Sequence, residues 1–172
     1  MFYQRILLLC FSLLAMPARA DAPLDNTQLA VWVNEAIVAT YTYNYQNYLE
    51  RQKEIAFYFT AQGWMAYSKA LNASKLPESV QKNSYDVSAV ATMPPTTKLL
   101  HDNYWEAVMP ILVVYKNPQY IQKQTLEVTI QFTAVPSGQG VRGLAIASLQ
   151  SKVAKPICQC IADAHPDNSM GD

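Results

Sequence analysis

From Leu29 onward the apolar residues fall at intervals of three and four: Leu29, Trp32, Val33, Ala36, Ile37, Tyr41, Tyr45 and Tyr48. That spacing forms one stripe on an amphipathic helix. It predicts a long first helix, with Asn26 or Thr27 able to cap its start. The tyrosines widen the stripe, so it can cover a sheet while their hydroxyls reach the rim. Phe57-Tyr58-Phe59 closes this region. Thr60 is a good cap for a second helix over about 61–73, with Trp64, Tyr67, Ala70 and Leu71 on one face. Gly63 falls in its first turn, where glycine is a poor helix former. Pro77 suits the first turn of a short third helix ending near Lys82, with Leu76 and Val80 turned inward.

The period then changes to two. Tyr85 to Ala91 and Thr96 to Leu100 read as strands separated by Met93-Pro94-Pro95. Tyr104 to Tyr115 is apolar on both faces near Ile111 to Val114, as in a central, covered strand. Pro110 has no N–H for a ladder, so a bulge or bend is expected there. Asn117-Pro118 marks a turn. Leu126, Val128, Ile130 and Phe132 then alternate with Thr125, Glu127, Thr129, Gln131 and Thr133, one buried face and one wet. Pro136-Ser137-Gly138-Gln139-Gly140 reads as a loop, and Arg142 to Gln150 as the final strand. Helices first and consecutive strands afterwards give the α+β plan. The long helix is expected to cross one face of a curved, four-stranded antiparallel sheet.

The first twenty residues carry a different pattern. Arg5 precedes an apolar run from Ile6 to Leu14, and Ala18-Arg19-Ala20 offers small residues at −3 and −1 before Asp21. This is the secretory signal pattern, and the run is far short of the roughly 20 residues of a spanning helix. The expected organisation is a signal peptide at 1–20, a single domain at 21–154 and a flexible tail at 155–172. Basic and acidic residues are equal in number, 13 each, and export would remove Arg5 and Arg19. Charges are dispersed, and the cluster Glu50 to Glu54 has mixed signs. Nucleic acid is therefore not an expected partner, since phosphate binding needs clustered cations.

Candidate chemistry is sparse. Cys10 lies in the signal segment, leaving Cys158 and Cys160. In an oxidising compartment these can pair with each other or with a partner chain, remain free thiols, or join His165 as weak metal candidates. Their spacing matches no structural zinc site, and a fourth ligand is not evident. His101 is followed by Asp102 in an expected turn, where side chains point to solvent. Ser137 is outside any nucleophile-elbow pattern. No glycine pattern for phosphate or dinucleotide is present, so no cofactor is implied.

Several segments taken in order resemble one family. They are Val31-Trp32-Val33-Asn34-Glu35-Ala36, Tyr41 through Tyr48, Phe57-Tyr58-Phe59-Thr60-Ala61-Gln62-Gly63-Trp64, Tyr104-Trp105-Glu106-Ala107-Val108-Met109-Pro110 and Gln124-Thr125-Leu126-Glu127-Val128. Together they resemble the periplasmic domain of the DotI/IcmL family, which includes TraM of related conjugation systems. The resemblance implies a cone similar to the VirB-class scaffold and to nuclear transport factor 2, with helices packed on a bent sheet. It also implies a non-catalytic component or accessory of a type IVB (Dot/Icm-like) secretion or conjugation apparatus. Such a protein works by contact with inner-membrane secretion proteins, as a homo- or hetero-oligomer. The start departs from the family, which carries a cytoplasmic segment and a membrane helix before this domain. A periplasmic product, peripheral to the membrane at most, is the expectation. The competing reading is a small-ligand binder or acid–base enzyme that uses the interior of the cone. It requires an ionisable group inside, for which Glu106 is the best candidate and His101 the next.

Overall fold

The computed structural model describes residues 25–155. The chain runs α1 (Asn26–Thr40), β1 (Tyr43–Asn44), α2 (Tyr48–Ala56), α3 (Ala61–Ala73), α4 (Leu76–Lys82), β2 (Asp86–Ala91), β3 (Thr96–His101), β4 (Tyr104–Lys116), β5 (Ile121–Ala134) and β6 (Leu144–Val153). The order of helices followed by strands, and the antiparallel pairing, agree with the α+β expectation.

The single long first helix is corrected: it ends at Thr40, and Tyr48 begins a separate helix. Local polar chemistry overrides the apolar period. The Thr40 and Thr42 hydroxyls donate back to the carbonyls of Ala36 and Val38 at 2.7 and 2.8 Å, which competes with the helix ladder. Asn44 Oδ1 then accepts from the amides of Gln46 and Asn47, while Asn47 Oδ1 accepts from the amide of Asn44. This reciprocal asparagine turn forms the bend and lets Tyr43–Asn44 pair with Val87 and Asp86.

The later helices follow their signals. Thr60 Oγ1 accepts from the Gly63 amide at 3.0 Å, the bond expected of an N-cap. Pro77 lies in the first turn of α4, and Val80 is buried. Gly63 has a packing reason: a Cβ there would meet the Ile146 carbonyl oxygen at 2.4 Å and that of Ala147 at 2.9 Å. Glycine lets α3 lie directly on the backbone of β6.

Among the described residues the sheet has six strands rather than four, in the order β1-β2-β4-β5-β6, with β3 also paired to β4. The thirteen-residue β4 accommodates two neighbours on one side. Its Ile111 to Lys116 half lies beside β2, and its Tyr104 to Val108 half beside β3. Pro110 falls at the gap between them, and the β4–β5 register runs through Pro110 and Glu127 without a shift. No bulge forms at Pro110, because its missing N–H faces that gap. Its carbonyl accepts from the Thr92 amide at 3.0 Å. The bulges lie elsewhere, between Leu99 and His101 and beside Gln131 and Phe132.

The final strand begins at Leu144, two residues later than expected, because Arg142 and Gly143 both have positive φ, 54° and 74°. The core fills the space between α1 and the inner face of the sheet. Leu29, Trp32, Val33, Ala36 and Ile37 meet Ala107, Met109, Ile111, Val113, Val128, Ile130 and Phe132, all buried. Trp32 stands 5.2 Å from Phe132, which stacks on Trp105 at 5.5 Å.

Candidate functional site

Three places merit attention: the interior of the curled sheet, its open end, and the seam between α1 and the β5–β6 loop. The interior is packed with large apolar side chains, of which Trp32, Phe132, Met109 and Ile130 are fully buried. Glu106 does not enter it. Strand parity places Trp105 and Ala107 on the inner face, so Glu106 lies on the outer face. There its carboxylate accepts from Gln131 Nε2 at 3.4 Å. His101 ends β3, exposed, with its ring stacked on Tyr104 at 4.7 Å. The two residues proposed for acid–base chemistry are therefore both outside the cone.

At the open end lies a cavity of about 1230 Å³. Leu29 and Asn26 of α1, Thr97 and Leu99 of β3, Trp105 and the Ser137–Gly140 loop line it. Asp102 reaches this wall, but neither His101 nor Glu106 does. Ser137 is in the lining, and among the described residues no histidine lines it. The loop that forms the rim turns on glycines with positive φ, Gly138 at 85° and Gly140 at 64°. A Cβ at Gly140 would strike the Leu144 carbonyl oxygen at 2.3 Å, so glycine is required there on both counts.

The seam is a cluster the sequence reading missed. Trp32 Nε1 donates to the Val141 carbonyl at 2.8 Å. Beside it, Glu35 forms an ion pair with Arg142 and accepts from the Tyr58 hydroxyl at 2.7 Å. One residue of α1 thus ties together the loop before β6 and the segment after α2. Burial first, and then the Glu35 carboxylate, push the Tyr58 phenol up to about 12. Trp32 and Glu35 are three residues apart and share a helix face. That spacing was readable, but their partners, more than a hundred residues downstream in the loop, were not.

A second group of phenols, Tyr41, Tyr43 and Tyr67, packs where α1, α3 and the sheet converge. Burial raises all three above the ordinary tyrosine value. These groups are neutral hydrogen-bonding and packing groups at physiological pH. Cys158, Cys160 and His165 lie outside the described residues. Among the described residues, no cluster of three His, Cys, Asp or Glu side chains is arranged to hold a metal. No helix among them is long and apolar enough to cross a membrane.

A curled antiparallel sheet wrapped on a long helix is also the fold of VirB8. The VirB8 protein of Agrobacterium tumefaciens shares this fold at 9% identity, TM-score 0.54, over 78% of this chain and 98% of that one. Residues 13–153 match the DotI/IcmL family, described as the type-IV b secretion system, inner-membrane complex component. The chain belongs to this family. An IcmL-like type IV secretion system protein from Legionella pneumophila is 62% identical, with TM-score 0.78, over 81% of this chain and all of that one. The periplasmic domain of DotI is 30% identical, with TM-score 0.72, over 78% and 99% of the two chains. No curated protein matches the sequence significantly. The protein is accordingly a member of a family of structural components of type IV secretion systems.

Proposed function

We propose that this chain is a non-catalytic, periplasmic component or accessory of a type IVB secretion or conjugation apparatus, acting through contacts with inner-membrane secretion proteins. Residues 1–20 serve as its export signal, residues 21–154 form the working domain, and residues 155–172 are a tail. The observation that carries this reading is the likeness to the IcmL-like protein and to the DotI periplasmic domain over 81% and 78% of this chain. The geometry supports it. The inner face, toward which Glu106 would have to point to act inside the cone, is occupied by Trp32, Met109, Ile130 and Phe132. Glu106 is engaged with Gln131 on the opposite face.

A domain of this kind offers surface rather than a reaction centre. Large apolar side chains stand exposed at several points, including Leu49, Phe57, Met65 and Leu99, and such residues are the raw material of protein contacts. The test is fractionation of the native host expressing the tagged full-length chain. The reading predicts recovery in the periplasmic fraction, with an N-terminus at Asp21. Recovery of an unprocessed chain in the cytoplasm would contradict it.

A further inference from the structure

The edges of the sheet are treated differently. At the β6 edge, the Thr60 amide donates to the Ile146 carbonyl at 2.9 Å, and the Ile146 amide donates to the Tyr58 carbonyl at 2.7 Å. Phe59 bridges to Ile146 as a short parallel pair, and Gly63 of α3 lies against Ile146 and Ala147. The start of that edge is closed. The β3 edge is open: β3 pairs with β4 alone, and no described element pairs with its other side. An unpaired row of backbone N–H and C=O groups is a template for another strand.

Register defines what such a strand would meet. Thr97 and Leu99 lie opposite Ala107 and Trp105, on the inner face, whereas Thr96 and Lys98 lie opposite Val108 and Glu106, on the outer face. Thr97, Leu99 and Trp105 line the open cavity, and Leu99 is 58% exposed there. Lys98 is exposed and is in none of the ion pairs among the described residues. The bulge after Leu99 and the prolines 94 and 95 limit the usable window to Thr96–Leu99. A second copy of this chain is a poor occupant. A two-fold that keeps both inner faces on one side would set Lys98 opposite Lys98 or on its diagonal, a like-charge pairing.

We propose that Thr96–Leu99 is a strand-addition site for an extended partner segment that alternates apolar and acidic residues. Its apolar side chains cover Leu99 at the cavity rim, and its acidic side chain lies beside Lys98 on the outer face. This inference rests on the reading that the protein acts by protein contact. Its test uses the purified protein alone, so its failure leaves the cellular experiments untouched.

The probe is the blocked peptide acetyl-Thr-Val-Glu-Val-Thr-amide, titrated into isotope-labelled protein and followed by backbone amide shifts. Saturable shifts at Thr96 to Leu99 are expected. A peptide with lysine replacing the glutamate should bind about fivefold to tenfold more weakly, and Lys98→Glu should reverse that order. A peptide with methylated backbone nitrogens should lose the effect, since strand addition needs its N–H groups. The proposal would be overturned by no shift on β3 at millimolar peptide, by equal shifts with the methylated peptide, or by a charge preference unchanged by Lys98→Glu. Concentration-dependent changes in the same amides without peptide would also overturn it, by assigning the edge to a second copy.

Discussion

Replacing Gly63 with alanine sets two effects of known sign against each other. In an ordinary helix, glycine to alanine stabilises by about 1 kcal/mol. Here the added methyl would stand 2.4 Å from the Ile146 carbonyl oxygen, far inside contact distance. That oxygen cannot move freely, because it accepts from the Thr60 amide at 2.9 Å while the Ile146 amide is held by Tyr58 at 2.7 Å. Relieving the clash means lifting α3 off β6 or breaking these bonds. Overpacking of this kind costs about 1–3 kcal/mol, and each lost hydrogen bond adds about 1 kcal/mol. The expected net effect of Gly63→Ala is destabilisation by about 1–3 kcal/mol, a fall in Tm of roughly 3–10 °C for a domain of this size. Gln62→Ala, one residue earlier on the exposed side of α3, is the control and should stay within about 0.5 kcal/mol of the parent. Urea and thermal unfolding followed by circular dichroism read both. A Gly63→Ala protein as stable as the parent, or more so, would refute the claim that α3 is seated on the β6 backbone.

Removing the helix cap by Thr60→Ala should cost about 1 kcal/mol in the same assay. Glu35→Gln removes an exposed ion pair and should change stability by less than about 1 kcal/mol. It should also lower the Tyr58 phenol from about 12 toward the ordinary value, without reaching it because burial is the larger cause; difference absorbance titration of the two proteins reads this. Stability should fall at alkaline pH. The folded phenols of Tyr41, Tyr43 and Tyr67 lie above the value of 10.0 that they have when exposed. The unfolded chain therefore loses its protons first, so stability is intact below pH 10 and declines as pH rises toward the folded values. Urea unfolding at pH 9, 10 and 11 checks this, and an unchanged free energy through pH 11 would count against buried phenols.

The elements that read most clearly in the sequence are those in which one periodicity and one terminal signal agree. The alternation from Thr125 to Thr133 became the middle of β5 with its apolar set buried, and Thr60 and Pro77 became helix starts. The errors arose where a local polar bond competed with the period. The tyrosine stripe continues through Tyr45 and Tyr48, but Asn44 and Asn47 satisfy one another and turn the chain. Pro110 was legible as a disturbance of β4, whereas its accommodation at the junction of β2 and β3 depends on which strands neighbour it, a long-range fact. The Glu35–Arg142–Tyr58 cluster was hidden for the same reason. It joins three distant segments, and Arg142 has the positive φ of a turn rather than the extended backbone its apolar successors suggest. Candidate chemistry fared according to strand parity: Glu106 beside Trp105 could face only one way, and the larger apolar side chain took the interior.

Capture from its own host tests whether this protein works by assembling with other secretion proteins. Tagged full-length protein would be crosslinked mildly in intact cells, purified under denaturing conditions and its partners identified by mass spectrometry. Inner-membrane components of the secretion apparatus should be enriched over an untagged control. Recovery of the protein without any such component, under conditions that crosslink a known member of the apparatus, would contradict it.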